Sequence, residues 1–454
     1  MLYWLWRDWF KLLIPLTAMF LLLSGFALLE LWPLAWVFSW SIIGMIVLGP
    51  IFATLFYRMF RLPPEKRFRK TIGQQCAGAL INLAAFVFCG ATLIISSAKM
   101  SQTEMPKISS RLGGTTDFPY APLEPGDLVD YRGEVHVHSP LSHDARVRWD
   151  EIFAAAKQNK ISWLIFTDHI SDLPPGEFPT SRDDVVLIYG NERSWDDHGS
   201  HFLIPINGET KIHAYGHIEE LKEWSDEHWD AIEIVNFHAN AYNFHAGFRH
   251  NLRTLGTILG RALFNPKSVY EALTEVIPEN LERWQKLSEK EGRPIPIFAG
   301  PDAHQNIRFF GQQLDPYPFM LSLVSTHIWV EAGKELNQAS VLGALKSGRS
   351  YVCFDYLGDP TGFQFSAQGN HGHVLGGGVV EETAFLWVSH VTPGRIPAKD
   401  SEIRLFCNNH LEMIDQIDAN AFVLNFRKPK PGFWRVEIWR QGRPWIISGQ
   451  IFVK

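Results

Sequence analysis

Short apolar runs that each meet a histidine, aspartate or glutamate recur across the middle of this 454-residue chain. "EVHVH" (134–138) carries His136 and His138, and "WLIFT" (163–167) runs into Asp168 and His169. "VVLIYG" (185–190) leads to Glu192, "HFLIPI" (201–206) opens on His201, "AIEIVNF" (231–237) leads to His238, and "IPIFAG" (295–300) leads to Asp302 and His304. Runs of this length, with "HIWVEA" (327–332) as a seventh, read as strands. Helical stretches at 148–159, 268–291 and 337–347 fall among them. Alternating strands and helices predict parallel βαβ units, and so an α/β barrel or an open sheet. In a parallel barrel the C-terminal strand ends form one rim, where site residues gather. A single histidine at a strand end is ordinary structure. Six strand ends supplying ligand-type side chains point to a site.

The chemistry that suits such a rim is a metal cluster. Imidazole binds zinc, iron and manganese, and carboxylates add charge and can bridge two ions. Several carboxylates packed together without cations cannot all ionise. Divalent ions remove that conflict and acidify water into a nucleophile.

"HVHSPLSHDA" (136–145), "FTDH" (166–169), Glu192 and "DAH" (302–304) together resemble the PHP (polymerase and histidinol phosphatase) family. "ALKSGRSYV" (344–352) and the closing "WIISGQIFV" resemble its carbaryl-hydrolase-like branch. The resemblance implies a distorted (β/α)7 barrel over 131–355 and two or three divalent ions (zinc, manganese or iron). It implies His136, His138, Glu192 and Asp302 on the first ion. Glu192 would bridge to a second ion held also by His201 and a later histidine, and Asp144, His169 and His304 would hold a third. The family's usual His-Pro ligand is missing here; His238 takes that role by its place at a strand end, with His213 or His217 as alternatives. Asp302, Glu192 and His304 are the expected catalytic groups. Asp168 orients a ligand from behind, and His143 is a neighbour rather than a ligand. Arg193, Arg308 and Arg249 are the candidate substrate-binding cations, since a guanidinium grips phosphate fork-wise.

The first hundred residues differ in character. Charge-free stretches support three membrane spans, about 12–31, 34–57 and 76–97, each near the ~20 residues that cross a bilayer as a helix. The basic loop holding Arg58, Arg61, Lys66, Arg67, Arg69 and Lys70 puts that side in the cytoplasm. These expectations give a multi-pass membrane protein with a cytoplasmic N-terminus and a catalytic part facing outward, in a bacterial inner membrane toward the periplasm. Residues 98–130 read as a linker. From 356 to 454 helical pattern stops, and "FWRVEIWR" alternates with period two, predicting a small β-sandwich. Cys353 and Cys407 are either bridged or two buried thiols.

A net charge of −6 gives no basic field, so nucleic acid is not an expected partner. The expected function is a membrane-anchored phosphoesterase using metal-bridging hydroxide on a phosphorylated or ester substrate, small or lipid-linked. Hydrolysis of a carboxylic or carbamate ester or an amide is the enzymatic alternative. A non-catalytic binding barrel is the alternative of another class; the completeness of the ligand set argues against it.

Overall fold

The computed structural model describes residues 127–454, apart from 175–177, 196–198, 208–210, 221–227, 238–273, 275, 310–311, 314, 370–371, 382–384, 391–400 and 418–421. Its strands begin with β1 (Leu128–Val137), β2 (Trp163–Asp168), β3 (Ser181–Arg182), β4 (Val185–Trp195), β5 (Gly199–Ile204) and β6 (Ile212–Gly216). Then come β7 (Ala231–Asn236), β8 (Ile297–Gly300), β9 (Arg308–Phe309), β10 (Gln312–Gln313), β11 (Ser325–Glu331) and β12 (Ser350–Cys353). The C-terminal strands are β13 (Phe363–Gly369), β14 (Gly372–Leu375), β15 (Val379–Val380), β16 (Phe385–His390), β17 (Ser401–Cys407), β18 (His410–Ile417), β19 (Phe422–Arg427), β20 (Gly432–Arg440), β21 (Arg443–Ser448) and β22 (Ile451–Val453). The described α-helices are α1 (Trp149–Gln158), α2 (Pro278–Glu291), α3 (Tyr317–Met320) and α4 (Gln338–Lys346).

These strands form one mixed sheet of 16, a four-stranded sheet β14-β13-β16-β19, and the pair β10-β9. This corrects the expected (β/α)7 barrel with preceding transmembrane helices and a separate small sandwich. The described chain is mostly strand, and the large sheet runs on through β12 into β21, β20 and β22. The reason lies in the connections. A parallel crossover needs about a dozen residues, but only 196–198 separate β4 from β5 and 205–211 separate β5 from β6. Both pairs are therefore antiparallel. β1 also starts earlier than the histidine motif suggests. Its first half pairs antiparallel with β11, Leu128↔Glu331 to Gly133↔Thr326, before its second half turns parallel to β2.

The membrane localisation is corrected as well. Among the described residues no helix is long and apolar enough to cross a membrane. The 14 residues of α2 rise about 21 Å, short of a hydrocarbon core of about 30 Å. The runs at 12–31, 34–57 and 76–97 lie outside the described residues. Cys353 and Cys407 are free, buried thiols.

The sheet curls so that β8 comes back against β1. Val137 and Ala303 form a parallel bridge, and the His138 amide donates to the Ala303 carbonyl at 3.1 Å. Gly300 permits that approach: a Cβ there would lie 2.2 Å from the Val135 carbonyl oxygen and 2.6 Å from Cβ of His136. Gly300→Ala is expected to cost more than about 2 kcal/mol by forcing the strands apart, read as a lowered midpoint in urea unfolding. Outside this seam, α1 buries Ile152, Phe153, Ala155 and Ala156 in one core with Leu164 and Phe166 of β2 and Leu187 of β4.

Candidate metal centre

The end of β1 and the segment after β8 supply the middle of the site. His136 (φ 61°) and Asp302 (φ 51°) both sit in the left-handed backbone region, as does His217 (φ 48°) just past β6. For residues with a side chain this conformation is costly and collects at functional sites. Here it turns three side chains out of the regular alternation of their segments and toward one another.

The ligand atoms fall into three groups, each with all members within 4.8 Å of one another. They are His138, Asp144, His169 and His304; His136, His138 and Asp302; and His136, Glu192 and His217. The groups overlap, sharing His138 and His136. Glu192 spans them: its Oε2 lies 3.2 Å from His136 Nε2 and 3.3 Å from His138 Nε2, while its Oε1 lies 3.2 Å from His217 Nε2. Asp302 Oδ1 lies 3.1 Å from His136 Nε2 and 3.2 Å from His138 Nε2. Asp144 Oδ2 faces His169 at 3.4 Å and His304 at 3.3 Å.

The imidazoles are held from behind. Glu233 Oε1 takes His136 Nδ1 at 2.7 Å, and its Oε2 accepts from the His217 amide at 3.0 Å and from Asn236 at 3.2 Å. The Asp302 carbonyl can only accept, so its 2.9 Å contact with His304 puts the proton on Nδ1 and turns Nε2 toward Asp144. This arrangement fixes the tautomer a ligand needs. Asp168 grips the turn after β1 rather than a ring: it accepts from the Ser139 amide at 2.6 Å and the Ser139 hydroxyl at 2.8 Å. Replacing Glu233 with Gln is expected to lower metal affinity by about 10–100-fold and leave the fold intact, checked by metal titration beside circular dichroism.

The buried carboxylates and imidazoles hold one another charged. Burial alone would neutralise Glu192 and Asp302, yet the facing imidazoles outweigh it and hold both carboxyls well below the usual carboxylate range. Burial opposes charge on His138 too, and Asp302 and Glu192 override it, pushing the imidazole up to about 9. His136 and His217 are raised for the same reason, against burial. Protons on the imidazoles thus balance the buried carboxylates. The buried His138 Nε2 makes no hydrogen bond despite two carboxylate oxygens within 3.3 Å. A buried imidazole nitrogen left without a hydrogen bond between two carboxylates fits an ion, and the mixed imidazole and carboxylate set suits zinc, manganese or iron.

Not every expected residue joins. His201 lies outside the three groups, in an aromatic nest with its ring 4.4 Å from Trp229 and 5.5 Å from His213. His217, weighed only as an alternative, occupies the place beside Glu192. His238 and Arg249 lie outside the described residues. Arg193 is exposed while Glu192 is buried, as alternation on β4 requires, so it does not share the face of the cluster. Arg308 lies in β9. His143 is exposed, its ring 5.5 Å from His169. Glu233 and Asn236 were missed. The signal for Glu233 was a carboxylate inside the apolar strand "AIEIVN".

No family model matches the chain, and no curated protein matches it. Among solved structures, PsfC from Pseudomonas syringae PB-5123 is similar over 50% of this chain and 92% of that one, at 13% identity and a TM-score of 0.28. A likeness that weak carries no argument here.

Proposed function

We propose that the chain is a metal-dependent hydrolase of phosphoric esters, with His136, His138, Asp144, His169, Glu192, His217, Asp302 and His304 holding two or three divalent ions. The observation that carries this reading is the overlap of the three ligand groups through His136 and His138, because adjacent cations are what a transferring phosphoryl group demands. The ions supply Lewis acidity and an acidified water. The chain's own residues do the rest. Glu192 and Asp302 set the charge of the site and align its imidazoles. Asp144 and His169 have side chains 33% and 23% exposed, while His136 and His138 are fully buried. Substrate therefore approaches from the Asp144–His169 side, with the buried ligands as floor.

The test is turnover of a phosphomonoester and a phosphodiester by the purified full chain, beside Asp302→Asn. Metal-dependent turnover that the variant loses supports the reading. Retained metal with hydrolysis of carboxylic esters but not phosphoesters would replace it.

A further inference from the structure

We propose that His327, Cys353 and Asp355 form a second metal site, distinct from the first cluster, that takes one thiophilic divalent cation, with zinc the best chemical match. Their ligand-type atoms all lie within 4.8 Å of one another. The fold brings them there through two antiparallel neighbours: His327 lies on β11, Cys353 ends β12 opposite Ser325, and Asp355 opens the 3₁₀ turn Asp355–Leu357.

His327 is already set as a ligand. Its Nδ1 meets Asp130 Oδ1 at 2.9 Å, and Asp130 is steadied by the Tyr351 hydroxyl, which donates to Oδ2 at 2.6 Å. A carboxylate on Nδ1 leaves Nε2 to present its lone pair, the arrangement that orients metal-binding histidines. That Nε2 has no hydrogen-bond partner, in a residue only 3% exposed. Asp355 Oδ2 makes no hydrogen bond but forms an ion pair with Arg132 at 3.1 Å, whose guanidinium also donates to the carbonyls of Asn159, at 2.8 Å, and Leu321, at 2.7 Å. Nearby on β1, the fully buried Glu134 has both oxygens without a hydrogen bond. Buried polar atoms left this way are rare and ask for an explanation. The Cys353 thiol makes only a 3.8 Å contact with the Gly358 carbonyl.

A cation here gives the orphaned His327 Nε2 and the loosely held Cys353 thiol a partner, and uses Asp355 as the charged third ligand. Sulfur beside nitrogen and oxygen selects zinc over magnesium or calcium, which prefer all-oxygen sites. Binding forms a metal–sulfur bond and releases the Cys353 thiol proton to solvent. The first cluster contains no cysteine, so the two sites have different spectroscopic signatures.

The experiment is cobalt titration of the chelator-stripped full chain, followed in the near ultraviolet where thiolate-to-cobalt charge transfer absorbs. Wild type is expected to show that band, and Cys353→Ser to lose it together with about one zinc per chain. Glu192→Gln is expected to keep the band. His327→Gln, which leaves the thiol in place, is expected to weaken cobalt binding at this site by at least about 10-fold, and it serves if Cys353→Ser fails to fold. Absence of the band from wild type, or its persistence unchanged in Cys353→Ser or His327→Gln, overturns the proposal.

Discussion

Glu192→Gln is expected to lower phosphoester turnover by about 1,000-fold or more while leaving circular dichroism unchanged. Glu192 is the carboxylate that touches His136, His138 and His217 within 3.3 Å, so it meets members of all three ligand groups. Glutamine keeps the shape and removes the charge. Its amide would also present N–H groups to imidazole nitrogens that are needed as ligands. The loss should appear in kcat, with metal occupancy falling in parallel. Turnover within about threefold of wild type would remove Glu192 from the machinery, since even one lost transition-state donor costs more than that.

Chelator-stripped protein is expected to lose stability as pH rises toward 9, and added zinc or manganese to restore it most strongly at that end. The folded-state value of His138, about 9, is above the ordinary 6.5 of an unfolded histidine. Its stabilising contribution is therefore fully present below about 6.5 and drains away as pH passes through about 9. His136 and His217 move in the same direction. Glu192 and Asp302 are depressed, so their contribution holds above the unfolded carboxylate range and is lost only on acidification. In neutral and mildly acidic solution, protons on the histidines stand in for the ions; at alkaline pH only metal can. Thermal unfolding with and without metal at pH 6 and pH 9 checks this. A metal-induced rise in Tm that is equal at the two pH values, or larger at pH 6, would contradict it.

Much of the site was legible because ligand chemistry is written in residue type. His136, His138, His169, Glu192, Asp302 and His304 stand out from strand-end positions, Asp144 follows from the family resemblance, and the structure draws all seven together. The strand positions were legible too: "WLIFT" became Trp163–Asp168 and "AIEIVNF" became Ala231–Asn236. What could not be read was pairing. Strand direction depends on connection length, and the short links at 196–198 and 205–211 force antiparallel neighbours that break the (β/α)7 expectation. The segment Ile212–Gly216 was not recognised as a strand, which hid the position of His217 at its end. His201, by contrast, looked like a ligand but pairs across from Arg193 and packs on Trp229. Glu233 acts through His136, the His217 amide and Asn236, a role visible once separate strands are placed together.

The most direct test of the metal centre is the metal content of the purified full chain, measured by elemental analysis in a Cys353→Ser background so that the thiolate site does not count. About two to three divalent ions per chain are expected, falling by at least one in His138→Ala, because His138 belongs to two of the ligand groups. A chain that holds no divalent ion, or one whose content His138→Ala leaves unchanged, would contradict the assignment of these residues to a metal cluster.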